Sequence, residues 1–396
     1  MSRKSTNWLG DYLDMTKHQK SPELFHLWTG IFTIAATLER SVYWDGEFFK
    51  LFPNMLVVLV APPGRCAKTT ALAIGRDMLR QVPDPPLVLS QKITPQFLIK
   101  ELSKDPKNDD GTNSSAVCFS REFTVLVGQD AFQSGLTDIL GDLYDCPEEE
   151  EYYGTILRGK AFWRRGCLNI AGATTPTHIK RVIPRAELGG GFVSRVIFVE
   201  RDSGRGIARP YMTAVQRKLR DNLVEDLKTI RLLRGEYKLT PEAEKWYDEF
   251  YFQQEKSTKW TSEYTARFPQ HILKISMCLA ASLTDVLLIS VEHLELANKM
   301  LTEIERCMTP VVQHLEMTQH GEHAERVLSI IRSHPDGIMR NELSRATWRF
   351  AKKADLDGIL EQLAESNEIA IRRFKQGRMY VPLYREEEQA DETDVS

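Results

Sequence analysis

The sequence predicts an α/β fold in which a mostly parallel sheet is covered by helices on both faces. Between residues 51 and 202, five short apolar runs rich in β-branched residues alternate with segments of helical periodicity. This alternation is typical of parallel strands joined by crossover helices. Beyond that region, apolar residues recur at helical spacing up to about residue 320, so we expect a second, helical domain to follow.

Length and composition indicate an ordinary globular protein with more than one domain. The 396 residues exceed what one hydrophobic core usually supports, and 42% of them are hydrophobic. A net charge of −3 excludes a generally basic nucleic-acid coat, so any DNA contact must be concentrated in particular loops. The charged N-terminus, the interrupted apolar stretches and six widely spaced cysteines predict a cytoplasmic protein without membrane span, zinc site or disulfides.

The first two regions of the chain differ in periodicity. Residues 1–50 are expected to be helical and amphipathic, forming a lead-in layer against the core. Residues 51–202 form that core, with predicted strands at residues 55–60, 86–89, 116–119, 167–173 and 195–199.

The remaining regions complete the predicted organisation. A stretch rich in Gly, Ser and Arg at residues 202–210 indicates a linker, and residues 203–320 are assigned to the helical domain. Residues 321–385 show a helix, a turn, two helices and two strands around a second turn, which is the order of a winged helix. Residues 386–396 are acidic and predicted to be a disordered tail.

A candidate phosphate-binding loop follows the first predicted strand, where MLVVLV runs directly into APPGRCAKTT. Such a loop needs a strand end, a tight turn with inward backbone N–H groups, a lysine for the outer phosphates and a hydroxyl for Mg²⁺. The motif GxxxxGK(S/T) is met imperfectly, because Pro62 and Ala67 replace its glycines. The alternative is a proline-rich turn before a surface helix with a chance lysine. The expected nucleotide contacts are Pro63, Gly64, Arg65, Cys66, Ala67, Lys68, Thr69 and Thr70, with Thr69 also meeting the Mg²⁺ of ATP.

Two further strand ends carry candidate catalytic groups. Glu122 follows the strand AVCFS and could activate the attacking water, although Arg121 stands where an aspartate would complete an Asp-Glu pair. Asp130, Asp142 or Asp145 could compensate as a magnesium ligand. Thr174, at the end of the strand CLNIAGAT, could sense the γ-phosphate. The alternative for Glu122 is an exposed carboxylate at a strand end.

Two arginines are candidates for contact with the phosphates. Three consecutive glycines precede Arg195, and a flexible turn that delivers an arginine to a domain edge is what a finger acting on a neighbouring subunit requires. A structural arginine that pairs at a strand start is the alternative. Arg267 could point from the helical domain to the nucleotide as a second sensor, or lie on a helix surface.

The succession APPGRCAKTT, CFSREF, NIAGATTP and GGGFVSRVIFV resembles the AAA+ branch of P-loop ATPases over about residues 20–384. The chain looks most like phage- and plasmid-borne helicase-type ATPases that are often fused to a primase. It is also similar to minichromosome maintenance helicases, whose loop carries an alanine before the lysine, as Ala67 precedes Lys68 here. The resemblance implies a hexameric, DNA-dependent motor that uses ATP and Mg²⁺. Since no primase motif is visible, any primase would be a separate protein.

The resemblance also implies where DNA would bind. In those helicases a hairpin projects into the central channel, and TILRGKAFW has the alternation of such a hairpin around a Gly-Lys turn. A solvated basic loop that balances the acidic run at residues 148–151 is the alternative. The expected phosphate contacts are Arg158 and Lys160, with Arg164 and Arg165 near the hairpin base, and Arg372, Arg373, Lys375 and Arg378 on the wing.

Three functions are compatible with these features. The first is an ATP-driven DNA helicase or translocase of a phage or mobile element, acting in replication as a ring around single-stranded DNA. The second is a replication initiator or helicase loader that binds DNA through its winged helix and hydrolyses ATP slowly. The third is a DNA-binding regulator whose phosphate loop is degenerate.

Overall fold

The computed structural model describes residues 3–90, 93–103, 114–128, 131, 134–148, 150–155, 159–183, 191–254, 266–316, 319–348, 350–351, 353–374 and 377–383. Two compact units divide the chain, Met1–Val312 and Gln313–Ser396. The predicted acidic tail, residues 386–396, lies outside the described residues. Within the described ranges, no helix is both long and apolar enough to cross a bilayer.

The first unit alternates helices and strands over most of its length. Its described helices are α1 (Trp8–Thr16), α2 (Glu23–Leu38), α3 (Lys68–Leu79), α4 (Pro95–Ser103), α5 (Phe123–Leu126), α6 (Leu136–Asp145), α7 (Pro176–Val182), α8 (Ala214–Ile230), α9 (Pro241–Gln254), α10 (Phe268–Leu283) and α11 (Val291–Glu316). Its described strands are β1 (Val42–Asp45), β2 (Lys50–Leu51), β3 (Leu56–Val60), β4 (Leu87–Ser90), β5 (Ser115–Ser120), β6 (Glu150–Thr155), β7 (Gly159–Arg164), β8 (Cys167–Thr174), β9 (Val196–Glu200), β10 (Gly235–Glu236), β11 (Lys238–Leu239) and β12 (Leu288–Ile289).

A five-stranded sheet with the order β4-β5-β8-β3-β9 forms the centre of this unit, and all its strand pairs are parallel. Every residue of β3 and β8 is buried, which explains why these strands are continuous apolar runs rather than alternating ones. Helices flank the sheet, and α2, α3 and α6 all contact β8. The predicted α/β fold with a parallel sheet is therefore confirmed, and all five predicted runs are strands.

The register gives the sheet two edges that matter for function. At one end, Val60 lies opposite Thr174 and Glu200, and we call this end the carboxyl edge. At the other end, Leu56 lies opposite Ile170 and Val196, and we call it the amino edge. In parallel α/β sheets, ligands usually bind at the carboxyl edge.

The prediction of an amphipathic helical layer for residues 1–50 was wrong in two respects. Apart from Glu23 and Leu27, every residue of α2 is buried, so α2 is a helix of the core itself and not an amphipathic one. Its threonines tolerate burial because their hydroxyls donate to the carbonyl four residues earlier, as Thr33 does to Thr29 at 2.7 Å. Residues 42–51 form the antiparallel pair β1–β2 instead of a helix.

Helix α2 also fixes the position of α3, which follows the candidate phosphate loop. A Cβ atom added at Gly75 of α3 would lie 2.5 Å from the Thr33 hydroxyl oxygen, far inside van der Waals contact. Only glycine allows the two helices to approach this closely. Helix α3 is thereby packed tightly against the core helix α2.

Residues 203–316 of the first unit are mainly helical, as α8, α9, α10 and α11 show. Short strand pairs tie this region together and to the N-terminal part of the unit. β1 pairs in parallel with β10, and β11 pairs in parallel with β12.

The second unit is a small mixed α/β body with its own core. Its described elements are α12 (Gln319–Arg332), β13 (Ile338–Met339), α13 (Arg340–Thr347), α14 (Lys353–Glu365), β14 (Ile369–Phe374) and β15 (Gly377–Pro382). The strands form an antiparallel sheet with the order β13-β15-β14. The core that joins these helices to the sheet includes Val327, Ile331, Leu343, Ile359 and Tyr380.

Candidate functional site

The predicted phosphate loop connects β3 to α3 in the order that the sequence indicated. Residues 61–67 form the turn, and Lys68 is the first residue of α3. Gly64 has φ of 74° and Ala67 has φ of 43°, so both adopt the left-handed conformation of a tight loop. Ala67 therefore has the backbone conformation for which glycine is preferred, at a strain of roughly 1 kcal/mol. A Cβ at Gly64 would meet no described atom within 4 Å, so this side of the loop is open.

The lysine of the loop is held by a weak local partner. The Lys68 ammonium donates to the carbonyl oxygen of Ala61 at 2.6 Å. Burial lowers the pKa of Lys68, while Cys66 and Glu122 nearby act in the opposite direction. A second neutral acceptor, the Pro62 carbonyl oxygen, lies 3.5 Å away, and an incoming phosphate could replace these carbonyls with a charged acceptor, which forms a stronger hydrogen bond.

The other predicted loop residues differ in accessibility. Pro63, Gly64 and Arg65 are exposed, as are Thr69 and Thr70 in the first turn of α3. Cys66 is buried, and its thiol lies 3.6 Å from the carbonyl oxygen of Arg201. Cys66 can therefore offer a ligand its backbone N–H but not its side chain, whereas Thr69 follows Lys68 in the first turn of α3 and is exposed.

Glu122 lies just beyond β5, at the start of α5, and its carboxylate has three donors. Oε1 accepts hydrogen bonds from the hydroxyls of Thr174 at 2.6 Å and Thr124 at 2.8 Å. Oε2 lies 3.2 Å from Nδ1 of His178. Burial alone would raise the pKa of Glu122, but the hydrogen bonds from Thr174, Thr124 and His178 outweigh it, and the pKa is lowered. Glu122 is consequently ionised at neutral pH.

The carboxyl edge thus brings together three of the predicted site residues, Lys68, Glu122 and Thr174. The backbone joins them as well, since Ala61 N–H donates to the Thr174 carbonyl at 3.3 Å. Thr124 and His178 were not predicted as site residues. The sequence TTPTH carries a usable indication of His178, because Thr175 caps α7 and Pro176 begins it, which places His178 in the first turn beside the strand end.

Two segments that the sequence analysis did not assign to the site flank the phosphate loop. From the first segment, the Lys20 ammonium donates to Gly64 O at 3.2 Å and the Ser21 hydroxyl donates to Ala67 O at 3.0 Å. The second segment packs against both the first segment and the loop, because a Cβ at Gly204 would lie 2.7 Å from the Lys20 carbonyl oxygen and 2.8 Å from the Arg65 carbonyl oxygen. The stretch predicted to be a linker therefore packs directly on the loop.

Glu200 adds a titratable group at the carboxyl edge that the sequence analysis also missed. It ends β9, opposite Val60 of the strand that leads into the loop. Burial, followed by the neighbouring carboxylate of Asp202, raises the pKa of Glu200 to about 7.

Arg195 and Arg267 lie at the amino edge. Arg195 directly precedes β9, and its guanidinium pairs with the carboxylate of Asp145 and donates to the carbonyl of Gly191. Arg267 donates from Nε to the hydroxyl of Ser194 at 2.9 Å. Burial lowers the pKa of Arg267, and the charge of Arg195 adds to this effect. The five residues of β9, at about 3.3 Å each, separate the arginines from the carboxyl edge by roughly 16 Å.

This separation bears on both arginine predictions. The structure brings neither Arg195 nor Arg267 to the phosphate loop of its own chain. A finger that acts on a neighbouring subunit does not need such proximity, whereas a second sensor for the chain's own nucleotide does. Asp145, considered as a magnesium ligand, also lies at the amino edge, and Asp142 lies one turn earlier on the same helix. Asp130 lies outside the described residues.

The predicted DNA hairpin is present as the antiparallel pair β6–β7, in which Thr155 lies opposite Gly159. Arg158 lies outside the described residues, and Lys160 is described only in its backbone, opposite Gly154. At the hairpin base, Arg164 lies opposite Glu150, and Arg165 pairs with Glu148 at 3.2 Å.

The predicted basic residues of the second unit lie on its β14–β15 ribbon. Arg372, Arg373 and Arg378 are all exposed, while Lys375 lies outside the described residues. Arg373 is directly opposite Arg378 in the antiparallel register. Like charges in cross-strand positions repel each other, so an anionic partner would be favoured here.

No protein-family model matches this chain, and no curated protein sequence matches it. The function proposed below therefore rests on the chemistry of the carboxyl edge. The site combines an open loop, the partly buried Lys68, the exposed Thr69 and the ionised Glu122. This set is suited to binding a nucleoside triphosphate and directing water at it.

Proposed function

We propose that this chain is a DNA-dependent ATPase of the AAA+ type, a helicase or translocase that works as a ring. The observation that supports this most directly is the convergence of Lys68, Glu122 and Thr174 at the carboxyl edge of a parallel sheet, beside an open loop that leads into a helix. Phosphate binding at the N-terminus of such a helix follows from its unpaired N–H groups and its dipole.

The residues present fit ATP and Mg²⁺. Backbone N–H groups of the loop would face the phosphates, and Lys68 would exchange the Ala61 carbonyl for them. Thr69 would hold the magnesium ion, which supplies neutralisation of phosphate charge when it is bound. Glu122 would accept the proton of the attacking water, and Thr174 would orient its carboxylate.

We propose that Arg195 completes the site of an adjacent subunit in a homo-oligomer, a hexamer by the resemblance. Its own phosphate loop lies at the other edge of the sheet, so a contact between Arg195 and a nucleotide requires a second chain. In the isolated chain, the carboxylate of Asp145 forms an ion pair with the guanidinium of Arg195. A phosphate would have to take the place of Asp145.

The remaining regions have roles in the same proposal. Helices α8 to α11 would correspond to a lid domain, with α10 at the amino edge rather than over the nucleotide of its own chain. The order of elements in the second unit is that of a winged helix, and the opposed pair Arg373 and Arg378 would meet DNA phosphates. The hairpin β6–β7 would line a channel for single-stranded DNA.

The deciding experiment compares wild type with Lys68→Ala and Arg195→Ala in ATP hydrolysis, with and without single-stranded DNA. Lys218→Ala, an exposed lysine on α8, is the charge-matched control. We expect DNA-stimulated turnover in wild type and control, its loss in both variants, and an unchanged oligomer of Arg195→Ala by light scattering. Turnover that survives Lys68→Ala would exclude the assigned site.

A second candidate is a nucleotide-gated replication initiator or helicase loader with slow hydrolysis. Two observations favour it. Arg121 stands where a second carboxylate would assist magnesium binding, and Glu122 is held by three donors rather than being free to face water. Unwinding of a forked duplex by the purified protein would reject this candidate, while tight ATP binding with negligible turnover on any DNA would support it.

A further inference from the structure

A second cavity, of about 590 Å³, lies near the amino edge and shares no residue with the phosphate loop. It is bounded by the end of α2, the β1–β2 pair, the segment after α8 and the base of the β6–β7 hairpin. Its volume is in the range of pockets that bind small molecules.

Positive charge dominates the described lining of this cavity. Its carboxylates belong to Glu39, Asp84 and Glu148. Its cationic side chains are Arg40, Lys50, Arg165, Arg231 and Arg234. Five cations against three carboxylates leave an excess of two positive charges, and concentrating like charges in a partly buried space is unfavourable without a counter-ion.

The internal ion pairs do not absorb this excess. Arg40 and Arg165 share the single carboxylate of Glu148, at 2.8 and 3.2 Å. Arg231 pairs with Glu39 at 2.9 Å. Arg40 is buried and also donates to the carbonyl oxygens of Cys146, Pro147 and Gly166, so the exposed Arg165 is the one that retains charge for an external anion.

Two further groups have neutral neighbours. Arg234 donates to the carbonyl oxygens of Arg231 and Leu233 at 2.6 and 2.7 Å. The Lys50 ammonium lies 4.9 Å from the centre of the Tyr43 ring. Together with Arg165, these two positions hold the positive charge that the ion pairs leave uncompensated.

Arg40 supplies a second, independent indication of a ligand. Its side chain is 0% exposed, and within the described part of the chain its Nε–H has no hydrogen-bond partner. A buried donor that remains unpaired is unfavourable, and native structures rarely retain one. The Phe52 ring lies 4.3 Å from the Arg40 guanidinium carbon and provides an apolar wall beside it.

We propose that this cavity binds a small phosphate monoester of mononucleotide size. A phosphate monoester carries nearly two negative charges at neutral pH and three acceptor oxygens, which match the excess charge and the exposed donors of Arg165, Arg234 and Lys50. The Tyr43 and Phe52 rings offer apolar surface for the rest of the molecule. The site does not depend on the proposed ATPase function.

Ligand binding here would act on the hairpin. Glu148 lies two residues before β6, and Arg165 directly follows β7. A phosphate that binds Arg165 would compete with its ion pair to Glu148 and loosen the base of the hairpin. The site is therefore placed to couple a small metabolite to the segment proposed to contact DNA.

Titration calorimetry on the full-length protein tests the site, with AMP and inorganic phosphate as probes. All measurements use a Lys68→Ala background, so that the phosphate loop does not contribute. The test variants are Lys50→Gln and Arg165→Gln, whose exposed side chains can be replaced without disturbing the core. Lys218→Gln is the charge-matched control, more than three helical turns away along α8 from the cavity.

We expect one equivalent of AMP to bind to Lys68→Ala and to Lys68→Ala with Lys218→Gln. Each cavity variant should weaken AMP binding about 10-fold or more, because it removes one charge-assisted hydrogen bond to the phosphate. If inorganic phosphate and AMP bind with equal affinity, the cavity recognises the phosphate group alone. If AMP binds more tightly than inorganic phosphate, the nucleoside is recognised as well. Both outcomes support the site. No binding of either probe, or unchanged affinity in both cavity variants, would overturn it, as would binding of a 12-nucleotide single strand without binding of AMP.

Discussion

The two edges of the central sheet place polar residues in opposite ways. At the carboxyl edge, Lys68 and Glu122 are partly exposed and bonded to groups that a ligand can replace or reorient. At the amino edge, Lys274 is 3% exposed and donates to the Asn54 side-chain oxygen at 2.8 Å, while its ammonium lies 3.9 Å from the Tyr144 ring centre.

The amino-edge network continues through amides and backbone. The Asn54 amide donates to the Tyr144 carbonyl at 2.8 Å, and the Asn169 side-chain oxygen accepts from Met55 N–H at 3.0 Å. These partners come from the fold itself, although the Asn169 amide nitrogen has no hydrogen-bond partner among the described residues. The comparison teaches that burial with fixed internal partners marks a structural polar group, whereas partial exposure with partners that a ligand could replace marks a candidate functional one.

The largest expected effect lies at the carboxyl edge. Glu122→Gln keeps the size and one hydrogen-bond acceptor of the side chain but removes the base. We expect ATP hydrolysis to fall about 1000-fold with little change in ATP affinity, since general-base catalysis contributes on this scale. Steady-state hydrolysis and nucleotide titration measure the two quantities, with the exposed Glu242→Gln on α9 as control. A parallel loss of ATP affinity would mean that Glu122 has a binding rather than a catalytic role.

The second effect concerns the amino edge and should appear in stability instead. Lys274→Ala leaves a cavity and removes the donor to Asn54, and we expect it to lower the free energy of unfolding by about 3 kcal/mol. Lys68→Ala, the matched lysine of the other edge, should change it by less than about 1 kcal/mol. Chemical denaturation measures both. Similar losses of unfolding free energy for the two substitutions would contradict the proposed difference between the two edges.

The third effect is a pH dependence at the carboxyl edge. Because the pKa of Glu200 is raised to about 7 from an ordinary 4.5, the unfolded state ionises first as the pH rises. Stability therefore falls between pH 4.5 and 7, and the penalty is constant above that window. Glu200→Gln removes it and should stabilise the protein at pH 8 by about 1 kcal/mol, a value discounted for solvent screening of a half-buried group. At pH 4.5 variant and wild type should unfold alike, and a stabilisation that is equal at both pH values would refute this origin.

The smallest effect concerns the strain in the phosphate loop. Ala67→Gly relieves the left-handed backbone at φ 43° but adds freedom to the unfolded chain. The net gain should be about 0.5 kcal/mol, measured by thermal unfolding. Ala71→Gly, in the helical interior of α3, is the control and should destabilise instead. Destabilisation by Ala67→Gly would show that the loop is not strained at this residue.

Much of the core could be predicted from the sequence because its strands are buried on both faces and appear as uninterrupted apolar runs. Strand ends then indicated Lys68, Glu122 and Thr174, since carboxyl ends of parallel strands meet at one edge. The burial of helix α2 was not predicted, because its threonine hydroxyls donate to carbonyls of the same helix. Polar residues in its sequence therefore do not mark an exposed face.

The partners of these residues could not be predicted. His178 reaches Glu122, and Asp145 reaches Arg195, through contacts between elements 50 or more residues apart. Lys20 and Gly204 meet the phosphate loop from two distant parts of the chain. Such contacts depend on strand order and helix packing, which local periodicity does not encode.

The length of β9, which separates Lys68 from Arg195 within one chain, has a genetic consequence. Under the proposed function, each complete site takes its loop from one subunit and its finger from the next. Lys68→Ala and Arg195→Ala subunits are then both inactive alone, yet an equal mixture contains interfaces in which an intact loop faces an intact finger. For random mixing, about a quarter of the wild-type sites would be restored, by the logic of head-to-tail interfaces. Two defective alleles would thus complement each other in the same cell.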